Sequence, residues 1–343
     1  MRILTALRLV VLIVVACGPA AGTAGTASPT ATPSSTATES ATPSATPTAS
    51  PTPATSATPI ALPTSAFIAA AGNGVVWALV ANSRLFRSAD RGDTWFERTV
   101  PSNVPVNSIA FVNDREGWIL AASSAGAQCQ VQSVVIYRTS DGAATWQRID
   151  PQGIADSGCK ESLAFNDATH GYLSAWDQNS APRVFRTTDG GTTWNGAAPL
   201  ADPPGFTTGV GVALRAAGVA DFVSVTLVTT LGIQGGREVD YIYRSSDRGT
   251  SWAYVTAAPL AGLAPVMITP QRWLQISPPA TAQETTNGGV SWHPFVTDYS
   301  QAAPVAPQIV FGDAVTGYAT ARGSIQRTTD GGAHWTSLRT PGT

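Results

Sequence analysis

The chain of 343 residues carries 20 basic and 22 acidic residues, a net charge of −2, and only 12% of its residues are charged. Lys160 is its one lysine. A basic surface able to track a phosphate backbone is therefore excluded, and nucleic acid is not an expected partner.

At the start of the chain, Arg2 and Arg8 precede an apolar run, Leu9 to Ala16, that is too short to span a bilayer and reads as an export signal. The run ends in Val14-Val15-Ala16-Cys17, which resembles a bacterial lipobox. The resemblance implies that residues 1–16 are cleaved as a lipoprotein signal, that Cys17 becomes the acylated first residue, and that 17–22 form the anchored N-terminus. The mature protein is then expected to be exported and lipid-anchored on the extracytoplasmic face of the cell membrane, more than one acyl chain holding it firmly. Residues 23–64 are almost wholly Thr, Pro, Ser and Ala, with Glu39 the one charge and no aromatic. Such a segment cannot offset its ordering entropy and reads as a disordered linker. At ~3.1 Å per residue it reaches on the order of 100 Å.

From residue 66 to 343 the sequence repeats itself. One pattern recurs six times: Ser88-Ala-Asp90-Arg-Gly92-Asp-Thr94-Trp95, Thr139-Ser-Asp141-Gly-Ala-Ala-Thr145-Trp146, Thr187-Thr-Asp189-Gly-Gly191-Thr-Thr193-Trp194, Ser245-Ser-Asp247-Arg-Gly249-Thr-Ser251-Trp252, Thr285-Thr-Asn287-Gly-Gly289-Val-Ser291-Trp292 and Thr328-Thr-Asp330-Gly-Gly332-Ala-His334-Trp335. This is the Asp-box, with Ala143 in a glycine place and Asn287 in the aspartate place. An Asp side chain can bond backbone N–H groups two residues on, and Gly supplies a positive φ, so each box reads as a β-turn joining strands three and four of a sheet, with its Trp folded back as a plug. An aromatic marks the second strand of each repeat: Trp77, Trp118, Tyr172, Phe222, Trp273 and Tyr318. Three of these follow a Phe and a Gly in the frame F-x-x-x-x-x-G-aromatic, at Phe111/Gly117, Phe165/Gly171 and Phe311/Gly317. Four strands per repeat predict an all-β fold, a β-propeller of about six four-stranded blades, with a seventh allowed.

Repeats such as Val184-Phe-Arg-Thr-Thr-Asp-Gly-Gly-Thr-Thr-Trp194 resemble those of Asp-box propellers of the photosystem II assembly and stability factor type. The resemblance covers about 66–343. It implies the propeller fold and a non-enzymatic assembly role, although Asp-boxes also occur in sialidases, sortilin-type receptors and cellulose-active enzymes.

A sialidase needs three arginines around a substrate carboxylate, a Tyr/Glu nucleophile pair and an Asp acid, with an early Arg-Ile-Pro motif that this chain lacks. Arg87, Arg138, Arg186, Arg244 and Arg327 each precede a box, and equivalent positions in successive blades are not expected to converge on one centre. Another glycosidase would need two carboxylates about 5–9 Å apart, for which Asp177, Glu238 and Asp240 are candidates. His170, His293 and His334 lack the spacing of a helical zinc site, and no Gly-x-Ser-x-Gly elbow occurs. The turn Asn113-Asp114-Arg115-Glu116 reads as solvated, with weak calcium binding the alternative. No catalytic residue, metal or cofactor is expected.

The gap from the second-strand aromatic to the box aspartate position is 13, 23, 17, 25, 14 and 12 residues in repeats one to six. This predicts long two-to-three loops at about 122–133, 175–182 and 229–240, on the face opposite the boxes. Loops on a rigid scaffold are where binding is usually placed. Trp176, Asp177, Arg237, Glu238 and Asp240 are the candidate rim for an unknown protein or glycan partner, on a monomeric scaffold; an extracellular sialidase-like glycoside hydrolase is the alternative. Cys129 and Cys159 fall in connections of that same face and are expected to form a disulfide.

Overall fold

The computed structural model describes residues 66–339 apart from 126–128, 178–179, 206–214, 223–224, 235–236, 278–280, 301–307 and 322–323. The expected signal, Cys17 and the linker lie outside these residues. The described residues form six four-stranded antiparallel sheets, each built from four strands consecutive in the chain. The first sheet holds β1 (Ala66–Ala70), β2 (Val76–Val80), β3 (Arg84–Ser88) and β4 (Phe96–Arg98). The second holds β5 (Val106–Phe111), β6 (Gly117–Ala122), β7 (Val134–Thr139) and β8 (Gln147–Ile149), and the third β9 (Cys159–Phe165), β10 (Gly171–Asp177), β11 (Ser180–Thr187) and β12 (Asn195–Gly196). The fourth comprises β13 (Arg215–Phe222), β14 (Val225–Gln234), β15 (Arg237–Ser245) and β16 (Ala253–Ala257), and the fifth β17 (Val266–Met267), β18 (Trp273–Ser277), β19 (Thr281–Thr285) and β20 (His293–Pro294). The last holds β21 (Ile309–Phe311), β22 (Gly317–Ala321), β23 (Ser324–Thr328) and β24 (Thr336–Ser337). First strands adjoin in the order β1, β5, β9, β13, β17, β21, and β21 returns to β1, the arrangement of a β-propeller.

Each sheet lies between two others, so its inner strands are covered on both faces. This explains why β2 (VWALV) and β6 (GWILAA) are continuous apolar runs rather than alternating ones: every residue in them is buried. Apolar clusters fill the seams. Trp77 of the first sheet stacks on Phe111 of the second at 4.0 Å, and Trp118 of the second stacks on Phe165 of the third at 3.7 Å. These stacks also account for the F-x-x-x-x-x-G frame. A Cβ at Gly171 would come within 2.5 Å of the Phe165 ring and one at Gly317 within 2.6 Å of Phe311, so glycine is required there by close approach. Phe222 departs from the pattern: it ends β13, and the second strand of that sheet opens three residues later at Val225. The fourth sheet therefore lacks the aromatic that opens β2, β6, β10, β18 and β22.

In every box the Ser or Thr hydroxyl accepts the N–H of the residue four positions on, as Thr187 does from Gly191 at 3.0 Å, and donates to the Asp carboxylate, 2.8 Å in that box. The carboxylate in turn accepts the N–H and hydroxyl of the residue four beyond it, Thr193 for Asp189 at 2.9 and 2.6 Å. Asn287 preserves this pattern by donating its amide to Ser291 Oγ, and Asp330 by bonding His334 Nδ1. The clamp holds two consecutive residues at positive φ. Most are glycines, but Arg91 (63°), Arg248 (57°) and Ala143 (61°) also adopt it.

Three of the arginines ahead of the boxes reach across seams. Arg87 pairs with Asp114 of the second sheet at 3.1 Å, Arg186 donates to Thr250 Oγ1 of the fourth at 2.8 Å, and Arg327 donates to the Arg91 carbonyl and Asp93 of the first, both at 2.8 Å. In the fifth sheet Glu284 stands at this position. Arg272, from the preceding turn, pairs with it at 2.6 Å and donates to the Gly331 carbonyl of the sixth sheet at 2.8 Å, restoring the cross-link. The sixth-to-first seam is further joined by Gln308, which exchanges hydrogen bonds with the Ile68 backbone.

Hydrogen bonds led by that from Thr145 hold Asp141 at about 2, and those led by Ser251 do the same for Asp247. Burial pushes Asp330 up, but donors from His334 and Thr328 outweigh it and bring it to about 2. These folded values lie below the ordinary 3.8, so the stability they contribute is complete above about pH 5 and is lost as pH falls through about 2. Between about pH 5 and 2 denaturation midpoints should decline as the box carboxylates are protonated, more steeply in Asn287→Asp, which adds one more titrating turn. Asp189→Ala, by leaving turn donors unpaired, should lower stability by roughly 1–3 kcal/mol in thermal melts. Ala143→Gly should raise it by up to about 1 kcal/mol, since it relieves a left-handed Cβ.

Candidate functional site

Alternate connections of an antiparallel sheet emerge on alternate faces, so the two-to-three connections and those between sheets share the face away from the boxes. In the second sheet β6 ends at Ala122 and β7 begins at Val134, and the described residues between them, 123–125 and 129–133, carry no strand. The other two expected loops are not loops. In the third sheet β10 runs to Asp177 and β11 begins at Ser180; in the fourth, β14 runs to Gln234 and β15 begins at Arg237. The described residues of 175–182 and 229–240 are strand. In the fourth sheet the pairs Gly232–Val239, Ile233–Glu238 and Gln234–Arg237 continue beyond Arg215–Leu231, the last pair with β13 among the described residues, and beyond Tyr241–Ala257, the last with β16 among them. A two-stranded ribbon thus projects from this face.

On this face the second and third sheets are braced together. Cys129 and Cys159 are bonded, with Cα atoms 4.9 Å apart. Beside them Lys160, 1% exposed, donates from Nζ to the carbonyls of Gln132 (2.6 Å) and Gly158 (3.0 Å), while Gln132 Oε1 accepts the Lys160 N–H at 2.7 Å. Burial lowers the Lys160 amine to about 8, against the attraction of Asp156. Arg183 Nη2 reaches Asp177 at 3.4 Å and Ser157 Oγ at 3.1 Å.

Trp176 is half-buried near the end of β10, its indole N–H donating to Glu161, and Asp177 is held by Arg183. Arg237 and Glu238 are exposed on the ribbon. Asp240 is not a rim residue: at 2% exposure its carboxylate accepts the Leu263 N–H at 3.1 Å, and its carbonyl accepts that of Ala258. It secures the following connection to β15. Sequence reasoning missed Lys160, Glu161 and Arg183. Lys160 and Glu161 follow Cys159 directly, but the roles of all three residues depend on partners from other elements.

On the box face an open groove of about 800 Å³ lies between the first two sheets, lined in part by Arg87, Arg98, Asp114, Arg115 and Asp141. Arg87 pairs with Asp114 there, Glu97 with Arg84 at 2.7 Å, and Asp141 with its own turn. Among the described residues no group of three His, Cys, Asp or Glu side chains is placed to hold a metal ion.

No family model matches the chain. Over 167 residues it is 29% identical to a xyloglucanase from a Paenibacillus species, a stretch covering 49% of this chain and only 14% of that protein. Among solved structures it is similar to an oligogalacturonate lyase in complex with manganese, with a TM-score of 0.52 and 9% identity over 75% of this chain and 74% of that one. It is also similar to a structure of YCF48 bound to D1 peptide (TM-score 0.44, 16% identity, 79% and 95% covered) and to the GH74 xyloglucanase from Xanthomonas campestris (0.49, 16%, 82% and 46%). The lyase likeness is one of fold. Sheets and comparisons together define an all-β propeller of four-stranded blades.

An amine held below its ordinary 10.5 makes the folded state gain stability as pH rises between about 8 and 10.5. Wild type should therefore gain on Lys160→Met when both are unfolded in urea at about pH 7.5 and again at about pH 10. An unchanged difference between the two would remove the buried ammonium from the account.

Proposed function

We propose that the protein is a non-enzymatic scaffold, lipid-anchored outside the cytoplasmic membrane through Cys17 and carried on the 23–64 linker, that holds a protein or glycan partner in the manner of an assembly or stability factor. The six sheets are its full set of blades, it acts as a monomer, and it requires no cofactor. One observation carries the binding face: among the described residues the ribbon of β14 and β15 outruns both neighbouring strands on the side away from the boxes. Sheet packing does not require that projection, and on the same face the Cys129–Cys159 disulfide braces the second and third sheets. Trp176, Asp177, Arg237 and Glu238 are the contact residues of this reading. The opposite face supports it by contrast, because its box carboxylates and most pre-box arginines are engaged in turns and seams.

A second reading, a glycan-cleaving enzyme, is favoured by the partial identity to a xyloglucanase. It would draw its carboxylates from Asp177 and Glu238 on the same face.

Replacing residues 232–238 with a two-residue turn should leave the melting temperature nearly unchanged and weaken capture of the partner crosslinked on intact cells, as should Trp176→Ala. Full capture by both folded variants would move the search to the box face, and reducing-sugar release from xyloglucan would favour the enzyme. Cys17→Ser should release the propeller into the medium; retention of that variant on the membrane would overturn the lipid anchor.

A further inference from the structure

The third-to-fourth seam is closed on the box face by a histidine. His170 lies in the turn between β9 and β10, and its Nδ1 is 2.9 Å from Asp167 Oδ2 and 3.0 Å from Thr169 Oγ1. Its Nε2 is 3.0 Å from Nη1 of Arg248, a residue of the fourth sheet's box. A guanidinium nitrogen can only donate, so Nε2 must accept and carry no proton. Nδ1–H then donates to Asp167, whose own hydrogen bonds keep it ionised. The ring is therefore neutral, held between a carboxylate and a cation.

We propose that His170 is an acid-sensitive latch between the third and fourth blades. A proton arriving at Nε2 removes the acceptor for Arg248 and sets two cations against each other, while Asp167 stabilises the imidazolium that forms. The imidazolium stays in the third blade, and Arg248 swings away. One bound proton thus removes one inter-blade hydrogen bond. With the side chain 24% exposed, the proton enters directly from solvent.

Other charges at this seam do not replace the link. Arg186, from β11, donates to Thr250 Oγ1 at 2.8 Å and stays charged throughout. Asp247 is engaged with Ser251 in its own turn and holds its charge down to about 2. Arg272 occupies the corresponding turn position in the fifth blade and carries that seam with a permanent charge. Among the described turns that reach the next blade in this way, His170 alone presents an imidazole.

The test is hydrogen exchange on the full chain, resolved by peptide and corrected for the intrinsic pH effect, at about pH 7.5 and about pH 5.5. In wild type the amides of 166–171 and 247–252 should open about tenfold more at the acid pH, the scale of one lost charge-assisted hydrogen bond. His170→Gln keeps an acceptor without a titrating ring and should lose the pH response. Arg248→Ala should show the open level at both values. His293 pairs with Glu284 and His334 with Asp330, but both lie in the fifth and sixth blades, so their titration is read in other peptides. Equal protection of wild type at both pH values, or a wild-type response in His170→Gln, would overturn the proposal.

Discussion

The clamp between a box hydroxyl and its carboxylate governs the rest of this structure. A turn with two successive positive φ angles is unfavourable for ordinary residues, yet Arg91, Arg248 and Ala143 occupy it. They are held there because Ser or Thr and Asp satisfy several donors at once. With the turn fixed, its carbonyls point at neighbours in a repeatable way. Trp118 donates to the Gly190 carbonyl of the next sheet, Arg327 to that of Arg91, and Arg272 to that of Gly331. A local motif therefore sets the spacing of blades that are remote in sequence.

Covering both faces of every sheet has a second effect. The apolar stacks tolerate little variation in backbone height, which is why glycine faces the Phe rings. Polar groups are admitted at the rims, where Lys160, Gln132 and the disulfide join two sheets without entering the stack. Rigidity near the third blade and projection from the fourth are thus neighbouring consequences of rim chemistry rather than of the core.

The boxes were readable because their residue types are dictated by local bonding, and the cysteine pair because only one partner remained. The ribbon was not. A surplus of residues between an aromatic and a box says that length has been added, but not whether it is loop or ladder, and Thr229 to Asp240 reads as either. Asp240 looked like a surface charge because its partner, the Leu263 N–H, comes from another connection. Phe222 misled for a related reason: one aromatic per repeat was counted, although in the fourth sheet it closes the first strand instead of opening the second. The exchange of Glu284 and Arg272 conserves a link while moving its charge to a different turn, and no single-position comparison of repeats reveals it.

Each sheet takes its four strands from one uninterrupted stretch of chain. The seam where the ring closes is thus made of the same materials as the others: Phe86 and Tyr318 in an apolar cluster, Gln308 on the Ile68 backbone, and Arg327 on the first box. Among the described residues no strand is borrowed across it. The start and end of the propeller are in this sense arbitrary, and a circularly permuted chain opening at the second blade would meet the same bonds in a different order. A fold of this kind can gain or lose a whole blade by duplication or deletion without breaking a sheet, leaving only the side chains of two seams to be refitted.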